Sequence, residues 1–369
     1  MAAGQDLVGG IRKKIMICSL DFGCGSLRSL CRSGGPGSRL QRLEMRSEYS
    51  AVPDTALHRR ALSDQGVPYA VGEGVLLIVG NDVERTRWLT RIPATPMFPG
   101  GRVPCADAPA RQLLHILTGC LLPRVTDGEN LCVMITPAAE ARVGEQEGLP
   151  SETAGGAEFL RRLVEMSGFS AVQLGAAEAA LLSVWPDSQY TGVSVVLGAE
   201  SSSWCLARRG LVQASGWLPA GGNWVDSELA KQLRLHVWDA DGAAYLDMAR
   251  VSSWRRQQSV DVRQPRDEQE HVLSRLVRAV LQQLATVVVQ QLEHTEGLVQ
   301  ALRPVQVVLS GGFAGTSGVP ELLAEQLSLL SGGSQRFLVQ RAVAPDTAVV
   351  RGGLIYGELE LRAQRSWAA

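Results

Sequence analysis

Ile15-Met16-Ile17-Cys18-Ser19-Leu20-Asp21-Phe22-Gly23-Cys24-Gly25-Ser26 carries the architecture of this chain. Its apolar first half has the length and flanks of a buried strand. The strand runs into a turn of small residues, and such a turn exposes successive backbone N–H groups in a concave nest that suits phosphate oxygens. Gly23 and Gly25 allow close backbone approach, while Asp21 at the strand end is placed to hold a metal-bound water. Taken alone, a glycine turn after a strand is a plain structural turn in most proteins. This one has neither the Gly-Lys-Ser/Thr of a Walker loop nor the dinucleotide fingerprint, so those two nucleotide folds are set aside.

Outward from that stretch, strand and helix patterns alternate in the manner of an α/β layer fold. Val75–Val79, Leu131–Thr136 and Phe169–Leu174 read as strands. Leu113, Leu114, Leu117 and Leu121 give 110–122 a helical spacing, and Ala176–Val184 reads as a further helix. Ser33–Arg46 is expected to be a flexible turn, and Pro93–Pro109, with five prolines, a loop. The second half opens on the same plan. Gly192–Leu197 is a strand, Gly198-Ala199-Glu200-Ser201-Ser202-Ser203 a second small-residue turn, and Ser202–Arg208 and Leu211–Trp217 the following strands. Gly221-Gly222 opens a helix, Ala243–Arg256 looks helical, and a long helix covers roughly 267–296. Val305–Leu309 is a strand that ends in Ser310-Gly311-Gly312-Phe313-Ala314. The shared plan points to a duplicated α/β unit.

Composition bounds the function. With 45% hydrophobic residues among 369, the chain is too apolar for a disordered protein. Lys+Arg 36 against Asp+Glu 37 leaves a net charge of −1, so no nucleic-acid partner is expected. The 7 Cys form no Cys-x-x-Cys pair and several lie in apolar runs, which suits reduced, buried thiols better than zinc or disulfides. Trp254-Arg255-Arg256 and the Arg-rich 28–46 segment read as solvated surface. The opening basic cluster, Arg12, Lys13 and Lys14, lacks the apolar run of a signal peptide and leaves an amphipathic anchor as its alternative. A cytoplasmic, optionally membrane-associated protein is the expectation.

These motifs together resemble the actin-like ATPase superfamily, and within it the bacterial MreB/MamK branch, of which the chain looks like a divergent member. Asp21-Phe22-Gly23-Cys24 is similar to the first phosphate loop, Asp-x-Gly-Thr, and Leu197-Gly198-Ala199-Glu200-Ser201-Ser202 to the second, Asp-x-Gly-Gly-Gly-Thr. Leu174–Leu181 resembles the Glu-Pro-x-Ala-Ala-Ala helix, whose catalytic Glu falls on Ala177 or Glu178. Gly221-Gly222-Asn223-Trp224-Val225-Asp226 is similar to the Gly-Gly-x-x-hydrophobic-Asp element. Asp247-Met248-Ala249-Arg250 resembles the Glu-x-x-Lys adenosine helix, and Leu309–Ala314 the adenosine loop. The resemblance covers about residues 14–358.

What it implies is an actin-like (ribonuclease H-like) duplicated α/β fold, two lobes around a nucleotide cleft. A segment 1–13 would precede lobe I at 14–186, followed by lobe II at 187–358 and a tail at 359–369. ATP and Mg2+ would bind there. Asp21, Gly23, Cys24, Gly25, Gly198, Ser201 and Ser202 would hold phosphates, with Asp21 on the metal side. Gly221, Gly222, Asp226, Asp247, Arg250, Gly311, Gly312 and Phe313 would hold adenosine, and Glu178 is the catalytic candidate. Leu197 stands where the second loop has its Asp, and Ala199 and Glu200 replace glycines, so hydrolysis would be slow. The expected function is a self-assembling filament protein that scaffolds cell shape or intracellular organisation, with a membrane surface or membrane protein as the second candidate partner. A degenerate adaptor with a vestigial site and a small-molecule kinase using Asp226 or Glu178 as base are the alternatives.

Overall fold

The computed structural model describes residues 14–34, 37–90, 93–125, 128–138, 154–184, 190–239, 242–257, 259–295, 304–333 and 335–367. The expected segment 1–13 and the 186/187 boundary lie outside them. Strands β1 (Lys14–Phe22), β2 (Ser26–Ser33) and β3 (Leu40–Arg46) form an antiparallel meander. β4 (Glu48–Pro53), β5 (Ala70–Val71), β6 (Val75–Val79) and β7 (Thr95–Pro96) build a separate small sheet in the order β5-β6-β4-β7. β8 (Gly128–Ile135) and β9 (Ser170–Leu174) then add in parallel to β1, so the first large sheet runs β3-β2-β1-β8-β9.

The second half repeats the arrangement. β10 (Gly192–Leu197), β11 (Ser202–Arg208) and β12 (Leu211–Leu218) form the meander. β13 (His236–Trp238) and β14 (Ala244–Leu246) make a separate hairpin, and β15 (Val305–Ser310) and β16 (Phe337–Arg341) complete the sheet in parallel. Its order, β12-β11-β10-β15-β16, is that of the first sheet with each strand replaced by its counterpart. The duplication is therefore one of topology.

Alternation along β1 explains how each sheet is covered, because successive side chains in a strand face opposite ways. Met16, Cys18, Leu20 and Phe22 share a core with Leu113, Leu114 and Leu117 of the Ala108–Leu121 helix and Leu160 and Val164 of the Ala154–Met166 helix. In the second sheet Val193, Val195 and Leu197 pack under the Glu268–His294 helix, which Asp267 caps through the Glu270 amide at 2.8 Å. By length and composition that helix could cross a membrane, but its apolar stripe is buried in this core.

The opposite faces of the two sheets meet over a pair of helices, Ala176–Val184 and Ala348–Trp367. Val133 and Ile135 of β8, Val196 of β10 and Val308 of β15 share one cluster with Ala177, Ala180, Leu181 and Val349. The helices cross backbone to backbone: a methyl at Gly352 would overlap the Ala179 carbonyl, and one at Gly353 the Ser19 hydroxyl. Residues 359–367, expected to be a tail, continue the last helix.

Two local expectations are corrected. Half of Ser33–Arg46 is strand β3, whose side chains are largely exposed. Cross-strand pairing such as Arg28 opposite Glu44 holds it, so no burial periodicity marks it in the sequence. The stretch 243–256 is not one helix: β14 precedes a shorter helix, Met248–Arg255, whose start is set by Asp247 accepting from the Arg250 amide at 3.2 Å.

Candidate functional site

The turns of the two meanders face each other. In the first, Phe22 pairs with Leu27; in the second, Leu197 pairs with Ser202. That register makes Phe22 and Leu197 counterparts, and therefore Asp21 and Val196, and Arg28 and Ser203. The turns touch: a methyl built on Gly25 would lie 3.1 Å from the Ala199 Cβ. Gly221 fits beneath the second turn, where a methyl would come within 2.5 Å of the Ala199 carbonyl oxygen. The amides of Gly222 and Asn223 then donate to the carbonyls of Gly198 and Ala199 at 3.0 and 2.8 Å. Gly311, at φ 90°, closes the end of β15 against the Leu197 carbonyl, an approach and a conformation open only to glycine. Between them lies a cleft of about 730 Å³.

One end of the cleft is charged. Asp21 is 8% exposed, and burial pushes its carboxyl up to about 6 although the Arg28 guanidinium, 3.9 Å away, pulls the other way. Arg28 is itself bonded to Glu44 at 2.8 Å, so its charge is shared between two carboxylates. Glu200, in the second turn, accepts from the Asn223 side chain at 2.7 Å. Among the described residues no cluster of three or more His, Cys, Asp and Glu side chains could hold a metal by itself. A magnesium ion that brings its ligands with a phosphate chain needs only one or two carboxylates from the protein, and Asp21 fits that role.

The other end is bordered by Gly222, Gly312 and Phe313, which pack closely. A methyl built on Gly222 would lie 3.0 Å from Nη2 of Arg255 and 3.6 Å from the Phe313 Cβ, and the Phe313 side chain belongs to the core of the second half. Arg255 is 3% exposed and Asp226 1%; they form a two-pronged ion pair, Nε to Oδ1 at 2.7 Å and Nη2 to Oδ2 at 2.9 Å. Nη1 donates to the Thr316 hydroxyl at 3.1 Å, and the guanidinium carbon stands 5.0 Å from the Phe313 ring centroid. The Trp254-Arg255-Arg256 stretch, expected to be solvated, thus puts a buried, ion-paired cation at the border of the cleft.

Asp21, Gly23, Cys24, Gly25, Gly198, Ser201, Gly222, Gly311, Gly312 and Phe313 all border this space, so segments more than 280 residues apart in the chain meet as expected. Several candidates do not. Ser202 is fully buried with its hydroxyl on the Ala220 carbonyl, because in register it follows Leu197 under the sheet. Glu178 turns back on the Gly175 amide at 3.4 Å, and the cleft is bordered instead by Ala176. Asp247 is spent on its helix cap and on Arg87, 2.9 Å away, while Arg250 borders a separate small cavity with Trp254. Gly221 supports the turn from below and Asp226 is neutralised by Arg255. Leu197 is a correction of another kind: it is 0% exposed in the core, and Val196 is the residue that stands opposite Asp21. Sequence reading missed Arg28, Thr136, Pro137, Arg255 and Asp346, which also border the cleft. Thr136 was within reach, since it follows β8 as Gly311 follows β15.

The family model described as Volactin matches residues 16–356. We found no match among curated proteins. Among solved structures the chain is similar to the MamK double helical filament, with 16% identity, a TM-score of 0.64 and coverage of 93% of this chain and 99% of that one. MreB5 of Spiroplasma citri bound to ADP gives 14% identity, a TM-score of 0.64 and coverage of 95% and 98%. Ethanolamine utilization protein EutJ from Carboxydothermus hydrogenoformans gives 13%, 0.52, 92% and 89%. At these identities the likeness establishes the fold, which is actin-like.

Proposed function

The chain belongs to the Volactin family, and from that premise we propose that it is an actin-like protein that binds a Mg2+-nucleotide in its cleft and assembles head to tail into filaments. The observation that carries the nucleotide reading is the meeting of two topologically equivalent glycine turns, Gly23–Gly25 and Gly198–Ser201, over a buried carboxylate. Asp21 is held there at a cost in its charged form, which a cation entering with phosphates would relieve. Magnesium would neutralise phosphate charge, and Asp21 would accept hydrogen bonds from its water. The solved relatives described as bound to AMPPNP and ADP suggest ATP as a ligand, and the MamK filament suggests a self-partner. A head-to-tail contact joins different surfaces of two copies and does not close, which is how a single chain makes a filament.

Hydrolysis is expected to be slow, since Val196 offers no acceptor at the position equivalent to Asp21 and Glu178 is not among the residues that border the cleft. Val196 is also what favours the second reading, an adaptor with a vestigial site. The kinase alternative loses both of its bases, Asp226 to the Arg255 pair and Glu178 to its helix start. The test is two-part: thermal unfolding with millimolar nucleotide and Mg2+, and high-speed sedimentation with and without them. A raised melting temperature and nucleotide-dependent pelleting are the expected results. No thermal shift removes the nucleotide reading, and a supernatant that stays full at all concentrations and salts removes the filament.

A further inference from the structure

We propose that the outer edge of strand β3 is a docking surface for the same strand of a second copy, so that two chains close into an antiparallel dimer by joining their first sheets edge to edge. β3 ends the sheet β3-β2-β1-β8-β9 and, among the described strands, pairs with β2 alone. Ladder geometry fixes which of its backbone groups are left over. In an antiparallel pair the bonded residues alternate, and a bonded residue turns both its N–H and its C=O to the partner. The Gly34 amide donates to the Ile15 carbonyl at 2.9 Å, so the even residues of β2 face β1 and its odd residues face β3. The Ser47 amide, donating to the Gly25 carbonyl at 3.4 Å, sets the same phase from the other side. Gln41, Leu43 and Met45 therefore bond to β2. Leu40, Arg42, Glu44 and Arg46 turn their N–H and C=O groups outward, along an edge whose side chains are largely exposed.

Proteins blunt such edges with bulges, prolines or charges. β12, the counterpart of β3 in the second sheet, has a register shift in its pairing with β11 and a glycine, Gly216, in its interior. β3 pairs over its whole length without a shift and contains no proline. Its outward charges alternate in sign, and that selects the occupant. An antiparallel copy can meet the outward residues with the two-fold axis at residue 42, 43 or 44. At residue 42, Arg42 faces its own copy, and at residue 44, Glu44 does; like charges directly opposite are destabilising. With the axis at Leu43, Arg42 of each copy lies opposite Glu44 of the other and Leu40 opposite Arg46. Leu43 then meets Leu43 in a non-bonded pair, where side chains come closest. Arg42 already reaches Glu44 within its own chain, so it needs only to exchange one Glu44 for another, while Arg28 holds Glu44 from the β2 side. Unlike a head-to-tail contact, this one joins identical surfaces and closes on two copies, and it calls for no nucleotide.

The experiment is sedimentation velocity of the full chain, without nucleotide, at rising concentration. A single strand pair is a small contact, so a reversible dimer in the micromolar range is expected. A monomer throughout that range overturns the inference. Arg42→Glu sets carboxylates opposite carboxylates on both sides of the axis and should weaken the dimer at least about tenfold, and Glu44→Lys should do the same with cations. Mixing the two variants pairs every carboxylate with a cation, so the mixture should dimerise although neither variant does so alone. Variants that dimerise as well as the parent, or a mixture that stays monomeric while both variants melt as cooperatively as the parent, overturn the assignment to β3. A cysteine at the axis reads the register. With glutathione disulfide, which takes up the two electrons and leaves as two glutathione thiols, Leu43→Cys should cross-link two chains, since facing residues of a strand pair are within disulfide reach. Gln41→Cys, off the axis, should cross-link no more than the parent, whose exposed Cys105 and Cys120 set the background. Equal cross-linking by the two variants overturns the register and the charge complementarity that rests on it.

Discussion

Replacing Asp21 with asparagine should stabilise the empty protein, and the size of the effect follows from where the carboxylate sits. Burial lifts its pKa from 3.8 to about 6, a net result after Arg28 has pulled it back. Because the folded pKa lies above the unfolded one, the folded state holds the proton more tightly. Stability is therefore greatest below about pH 4, is lost as pH rises through 6, and stays lost above it. A shift of about 2 units at 1.36 kcal/mol each amounts to roughly 3 kcal/mol, as an order of magnitude. The asparagine side chain would keep the shape and carry no charge, so urea unfolding near pH 7.5 should find Asp21→Asn more stable than the parent by about 2–3 kcal/mol, and near pH 4 equal to it. With Mg2+-nucleotide present the order should narrow or reverse, because the parent gains a cation for its carboxylate and the variant does not. A variant less stable at pH 7.5 would mean that the Arg28 attraction outweighs burial. A gain of equal size at pH 4 would mean that charge has nothing to do with it. Either result refutes the reasoning.

Three further outcomes are expected. Gly352→Ala forces a methyl into the Ala179 backbone where the two central helices cross, and chemical denaturation should register a loss of at least about 2–3 kcal/mol. Arg255→Ala strands the Asp226 carboxylate at 1% exposure and should cost about 3–5 kcal/mol in the same assay, with most of it recovered by adding Asp226→Asn. Glu178→Gln should leave nucleotide hydrolysis within about threefold of the parent in a phosphate-release assay, since general acid–base partners typically contribute 10²–10⁴-fold and this carboxylate faces its own helix start. A hundredfold loss would place Glu178 at the reaction after all.

The alternation of strands and helices, the two small-residue turns and their common plan were all legible in the sequence, because each is a local pattern of apolar spacing and glycine placement. Gly23, Gly25, Gly222 and Gly311 could be singled out for the same reason, since a close backbone approach demands glycine wherever it occurs, and Asp21 because it is the carboxylate at the end of the strand that leads into the first turn. Strand β3 was invisible, since its exposed residues are held by pairing with β2 and leave no burial pattern.

What tertiary structure alone decided is the set of contacts that depend on register and on distance along the chain. The pairing of Leu197 with Ser202 assigns Val196, and not Leu197, to the place opposite Asp21; a strand shifted by one residue presents the other face, and no motif alignment resolves that step. Likewise Arg255 reads as a surface residue until Asp226 and Thr316, 29 and 61 residues away, are folded onto it. Local chemistry determined the elements and their glycines; the buried Arg255–Asp226 ion pair beside the cleft arose only when the elements packed.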